Sequence, residues 1–352
     1  MKTIVKKVND IIHDKEAIDE AGEILKSGGL VAFPTETVYG LGADALNEEA
    51  AAKIYEAKGR PSDNPLIIHI AKLEDLAKIV TEIPEKAEAL ASAFWPGPLT
   101  LILNKASCVP YGTTGGLETV AVRMPDWEIA RAVIEAGGGY IAAPSANTSG
   151  KPSPTNAARV LEDMTGKIEM IVDGGEVSIG LESTIVDLTV EPPQILRPGA
   201  ITKSMLRNTI GEIIDGGKEI GTQSGPKAPG MKYKHYAPRG QLVIIKGEPR
   251  AVAEKINELA REKRAQGFTV GVLATTESAY LYPDEQVRII GTRQDDASIA
   301  KGLYESLRSF DDMGVDYIYS EAFAEKGMGK AIMNRLVKAA GHAIINLTKE
   351  DK

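Results

Sequence analysis

The segment KGRPSDNPL sets two cations, Lys58 and Arg60, at the end of a helical pattern, ahead of a proline that forbids its continuation and of Asn64 in the loop beyond. Cations favour helix C-termini, so a purely structural role is open on these residues alone. Two cations beside a proline-held loop, with polar groups ahead of a buried strand, also suit a polyanion such as a triphosphate. If they serve that purpose, Lys58→Ala and Arg60→Ala should each weaken nucleotide use and leave the fold intact, since both lie near a helix end.

Other segments carry groups of related chemistry. FPTETVYGLGAD offers hydroxyl side chains, Thr37 among them, with Gly40 and Gly42 permitting close backbone approach; it reads equally as a threonine-rich turn. In LIIHIA, alternation puts His69 on the face opposite Ile68 and Ile70. TVAVRMP carries Arg123 inside a strand-like run, where an arginine needs an anionic partner. APSANTSGKPSPT places Ser145, Asn147, Ser149 and Ser153 just past another such run, and Ser153-Pro154 reads as the start of the helix containing NAARVLEDM. Ser183 in ESTIVDL and Arg197 in QILRPGA are open to structural and functional roles alike.

These groups need elements to hold them. DKEAIDEAGEILKSGG has apolar residues at helical spacing and a double-glycine stop, then the strand-like LVAFP. NEEAAAKIYEAKG reads as a helix, LIIHIA as a strand, LEDLAKIV as a helix, and LTLIL, TVAVRMP, GYIAAPSAN and MIVDGG as strands. Helices and strands interleave, which favours α/β architecture. SGPKAPGMKYKHYAPRG, residues 224–240, has no hydrophobic periodicity and reads as a linker. Beyond it, QLVIIKG, TVGVLAT, QVRIIG and YIYSEAF alternate with helical patterns in a smaller three-layer, Rossmann-like α/β domain. The expected division is 1–215 for the catalytic domain, 216–240 for a linker or lid, and 241–352 for the second domain. GMGKAIMNRL lacks the spacing of a phosphate-binding loop, with Ala331 where the hydroxyl should stand.

A chain of 352 residues exceeds one ordinary core, in keeping with two domains. Its 49 acidic against 41 basic residues, net charge −8, argue against coating nucleic acid by charge alone. The lone Cys108 forbids an intramolecular disulfide, and the four histidines show no metal-ligand spacing, so no metal site is expected. Without a secretory signal or an apolar run approaching roughly 18 residues, the expectation is a soluble, cytoplasmic protein with no membrane contact.

Taken in order, PTETVYGLG, KGRPSDNPL, PGPLTLIL, VAVRMP, APSANTSG, STIVDL and RPGAIT resemble the YrdC-like domain of the threonylcarbamoyl-AMP synthase family. KYKHYAPRG and the α/β tail resemble the linker and C-terminal domain of its long, two-domain members. The resemblance implies a twisted α/β sheet around a concave basic cavity, and a reaction that joins L-threonine, bicarbonate and ATP and releases pyrophosphate. Its product serves the modification of an adenosine beside the tRNA anticodon, so tRNA or a tRNA-modifying protein is an implied partner. It further implies that Thr37, His69, Arg123, the backbone around Ala143, and Ser183 hold threonine. Arg60, Asn64, Thr119, Ser145, Asn147, Ser153, Arg197 and the lid residue Tyr236 would contact ATP. Lys58 and Arg60 would carry the catalytic charge, with Mg2+ arriving on the triphosphate. The alternative is a tRNA or double-stranded RNA binding module without turnover, against which the negative net charge weighs. Carbamoyl transfer, as in larger proteins with YrdC-like domains, calls for zinc-binding cysteines that this chain lacks. The tail is expected to stabilise the lid or recruit a partner, which truncation after Arg239 tests.

Overall fold

The computed structural model describes residues 2–216 and 235–347; most of the expected linker lies outside the described residues. The chain forms two compact units. One holds the chain through Ser149, Ser153–Ser178, and the chain from Glu182; the other holds Gly150–Pro152, Ile179–Leu181, and the described chain from His235.

The first unit is built on a mixed sheet of eleven strands among the described residues. Across the sheet the order is Ile4–Lys7, Met170–Asp173, Val31–Phe33, Gly40–Asp44, Tyr140–Ala142, Ile67–Ile70, Thr119–Arg123, Leu99–Asn104, Thr184–Asp187, Gln194–Arg197 and Ile214–Asp215. Alternation divides the central strands by chemistry. Ile68, Ile70, Leu99, Leu101, Leu103, Val120 and Val122 enter the large apolar core on one face. The opposite face carries a small apolar cluster of Ile67, Ile102, Ala121 and Ile185, and in register with it His69, Thr100 and Arg123. Polar side chains are thus brought to one face by the same period that buries their neighbours on the other.

The helix Glu48–Lys58 supplies the cations. Asn47 caps it, accepting from the Glu49 and Ala50 amides, and Gly59 ends it at φ +59°, a conformation that glycine adopts without strain. LEDLAKIV does not form one helix: it splits into a 3-10 turn, Leu73–Asp75, and a single helical turn, Leu76–Ile79, which buries Leu76 and Ile79. Ser153 does not cap the helix Ala157–Met164; Asn156 does, its side chain accepting from the Arg159 amide at 3.0 Å.

Among the described residues the second unit holds a five-stranded, wholly parallel sheet in the order Gln286–Ile289, Val270–Ala274, Tyr317–Glu321, Gln241–Lys246 and Ile344–Asn346. The helix Pro249–Ala265 shares an apolar cluster with Ile245, Val270, Val272 and Ala274 on one face. On the other face a Cβ at Gly271 would lie 2.5 Å from the ring of Phe310, so glycine is what lets the helix Asp296–Asp312 pack there. A sheet covered on both sides is the three-layer arrangement that its continuous apolar strands require. Among the described residues no helix is long and apolar enough to cross a membrane.

Candidate active site

Arg123 ends its strand with its side chain buried against the loop 34–39. Its Nε donates to the Gly97 carbonyl at 3.2 Å and its Nη1 to Thr37 Oγ1 at 2.9 Å. Nη2 lies 2.7 Å from Glu36 Oε2 without hydrogen-bond alignment. Thr37 is fixed in turn by Thr35 Oγ1 at 2.8 Å, which also donates to the Val38 carbonyl. The anionic partner expected for Arg123 is therefore Glu36, a residue the sequence does not mark.

His69 pairs with Arg123 in register on the neighbouring parallel strand. Burial, and then the Arg123 charge, push its pKa down to about 3, so the ring is neutral near pH 7. Its Nδ1 lies 3.2 Å from the Ile67 carbonyl, which can only accept. The tautomer with its proton on Nδ1 satisfies this carbonyl and leaves Nε2 as an acceptor. Ala143 is buried next to this group, its amide donating to the same Ile67 carbonyl at 2.9 Å.

A second cluster joins Lys58 to the segment 145–149. Lys58 Nζ donates to the Ser145 carbonyl and, at 2.6 Å, to that of Asn147, while the Ser149 amide donates to the Lys58 carbonyl at 2.9 Å. Ser145 also bridges to Gly40, and the Ala146 amide donates to the Tyr39 carbonyl at 2.8 Å. Lys58 is buried, unlike the exposed cation that a helix end suggests. Arg60 folds over its own loop: Nη2 donates to the Asn64 and Pro65 carbonyls, both at 3.0 Å. Asn64 Oδ1 is buried without a hydrogen bond.

Arg197 straddles Ser183, its Nε donating to the backbone carbonyl at 3.0 Å and its Nη2 to Oγ at 3.1 Å. Ser183 Oγ also meets Thr100 Oγ1 at 2.7 Å. Ser153 donates to buried Glu182 at 2.6 Å. Thr119 begins the strand that Arg123 ends, on the same face and about 13 Å along it at the usual strand rise. Tyr236 belongs to the second unit: its ring stacks on Tyr304 at 5.2 Å between centroids, with the Arg335 guanidinium 5.7 Å from it.

Of the expected residues, the structure groups Thr37, His69 and Arg123; Lys58, Ser145 and Asn147; Arg60 and Asn64; and Ser183 and Arg197. Glu36, Thr100 and Glu182 are polar members that sequence reasoning passed over. Glu36 was visible only as the carboxylate beside Thr37 in PTETVYG.

The chain is similar to known proteins over nearly its whole length. A family model for Sua5, YciO and YrdC, described as "Telomere recombination", matches residues 23–199, and that of the threonylcarbamoyl-AMP synthase C-terminal domain matches residues 201–341. The threonylcarbamoyl-AMP synthase of Pyrococcus abyssi is 51% identical over 346 residues, 96% of this chain and 99% of that protein. That of Bacillus subtilis is 49% identical over 350 residues, 98% of this chain and 100% of the relative. The crystal structure of P. abyssi Sua5 complexed with L-threonine superposes with a TM-score of 0.91 at 49% identity, covering 99% of this chain and 100% of that one. Matched in both halves and over nearly its full length, the chain belongs to the threonylcarbamoyl-AMP synthase family.

Proposed function

We propose that the protein makes threonylcarbamoyl-AMP from L-threonine, bicarbonate and ATP, releasing pyrophosphate. The observation that carries this reading is buried Arg123 beside Thr37 and a neutral His69, on a sheet face that also holds Ser183 and Arg197. In this reading Arg123 takes the carboxylate of threonine, and His69 Nε2, an acceptor, suits its hydroxyl. Thr37, Ser183 and the backbone around Ala143 fix its orientation.

The amine of threonine combines with bicarbonate to give the N-carboxylate and water. An oxygen of that carboxylate attacks the α-phosphorus of ATP, and pyrophosphate leaves. Two anions must meet, so the chain's task is to offset their repulsion and hold them in line. Arg60, Asn64, Thr119, Ser145, Asn147, Ser153 and Arg197 are the groups we assign to ATP, with Tyr236 in a covering role. Lys58, by holding the Ser145 and Asn147 carbonyls, orients that segment as well as adding charge.

Mg2+ is read as travelling with the triphosphate. Among the described residues no three His, Cys, Asp or Glu side chains converge to hold a metal, and the charged groups assigned to ATP are cations, a donor set that does not fit a resident ion. The product is destined for an adenosine of tRNA, directly or through a modifying protein, in the cytoplasm. Purified protein should release pyrophosphate from ATP only when both L-threonine and bicarbonate are present. Release no greater than with ATP alone rejects the proposal.

A further inference from the structure

Glu36 takes no part in the scheme above, yet it lies against the group on which that scheme depends. Its carboxylate and the Arg123 guanidinium are 6% and 5% exposed and 2.7 Å apart. Neither carboxylate oxygen, nor Arg123 Nη2, has an aligned hydrogen bond. Burying two opposite charges is expensive, and the cost is recovered only when hydrogen bonds satisfy the remaining lone pairs and protons. Here they are left over on both partners. Parting the pair forfeits Coulomb attraction and no aligned hydrogen bond, so a ligand that brings both charges can replace each partner at little net loss.

An α-amino acid is such a ligand. It carries a carboxylate and an ammonium on one carbon, so its two partners must stand side by side with opposite charge, as Arg123 and Glu36 do. We infer that Glu36 is a catalytic residue: it receives the α-ammonium of the amino acid whose carboxylate lies on Arg123, and then accepts one of its protons. This rests on the reading of the site as one that carboxylates L-threonine.

The step balances. One ammonium N–H bond breaks, its proton moves to a Glu36 oxygen, and the freed nitrogen lone pair forms the N–C bond to the bicarbonate carbon. The bicarbonate hydroxyl leaves as water with the proton from Glu36. A second proton leaves nitrogen for solvent, and the N-carboxylate remains. An ammonium has no lone pair to form that bond, so a carboxylate within reach of it answers a need of the reaction that the cations cannot.

The test compares direct calorimetric binding of L-threonine with that of 3-hydroxybutanoate of matching configuration, which lacks the amine. Wild-type protein should prefer L-threonine by roughly tenfold or more, the usual consequence of a charged hydrogen bond. Glu36→Gln should weaken L-threonine by a like factor, leave 3-hydroxybutanoate unchanged, and lower kcat for pyrophosphate release at saturating L-threonine. Glu36→Asp, which keeps the charge, should retain the preference, and together with the wild-type comparison decides the matter if the glutamine variant does not fold. Equal wild-type affinities for the two ligands overturn the inference. So does a glutamine variant in which both ligands weaken by one common factor, since Glu36 would then only arrange Arg123. Absence of any L-threonine binding by wild-type protein rejects the proposed function itself, and the inference with it.

Discussion

Lys58→Met removes the ammonium and keeps most of the aliphatic stem. Two charge-assisted hydrogen bonds, to the Ser145 and Asn147 carbonyls, are lost. At 3% exposure Lys58 receives little solvent screening, so about 1.5–3 kcal/mol for each bond is appropriate. Water entering the gap can recover part of this, which puts the loss near the low end of the sum, about 3 kcal/mol. For a domain of about 200 residues that lowers Tm by about 6–12 °C. A place near a helix end suggests a variant with an intact fold; burial adds to that expectation a cost in stability. The same substitution releases the segment carrying Ser145 and Asn147, so KM for ATP should rise at 25 °C, where the variant remains folded, and by more than KM for L-threonine. Differential scanning fluorimetry and pyrophosphate-release kinetics measure the two effects. A variant with wild-type Tm and wild-type KM for ATP refutes the reasoning.

Three further outcomes are expected. His69 has a folded pKa of about 3 against an ordinary 6.5, so between these values the unfolded chain holds a proton that the folded chain refuses. Stability from this group is present above pH 6.5 and is lost as pH falls, by up to about 1.4 kcal/mol per pH unit; urea titrations at pH 7, 6 and 5 should show a shallower slope in His69→Asn, and equal slopes would count against the assignment. Asn156→Ala should cost about 1 kcal/mol and speed exchange of the Arg159 amide, whereas Ser153→Ala should leave that amide protected; the reverse pattern would restore Ser153 as the cap. Gly271→Ala forces a methyl against buried Phe310 and should destabilise the second unit by about 1–3 kcal/mol in urea melts, while a neutral result would mean that the Asp296–Asp312 helix shifts freely.

The helices and buried strands were legible because their periods are strong. Lys15–Lys26 and Glu48–Lys58 repeat apolar residues at helical spacing and stop at glycine, and LIIHIA and TVAVRMP put Ile68, Ile70, Val120 and Val122 on one face and His69 and Arg123, beside Ile67 and Ala121, on the other. The strand Gly40–Asp44 was not legible, since GLGAD has no β-branched or aromatic residue. It exists because Val31–Phe33 and Tyr140–Ala142 pair with it, and because Gly42 leaves room where a Cβ would come within 2.7 Å of Phe33. Seven motifs in order made the family legible, but not who touches whom. Glu36 and Arg123 are far apart in the chain, and only the folded sheet makes them a pair. Ser153 shows the opposite failure, a plausible local cap drawn instead to Glu182 by tertiary contact.

The reciprocal bonds between Lys58 and the segment 145–149 bear on how such a protein can diverge. A chimera that imports KGRPSDNPL or APSANTSG alone from a distant relative separates a side chain from the carbonyls it was shaped to meet, whereas one that imports both keeps the match. The two stretches act as one structural module despite the chain between them, and recombination that divides them should yield fewer active hybrids than recombination on either side.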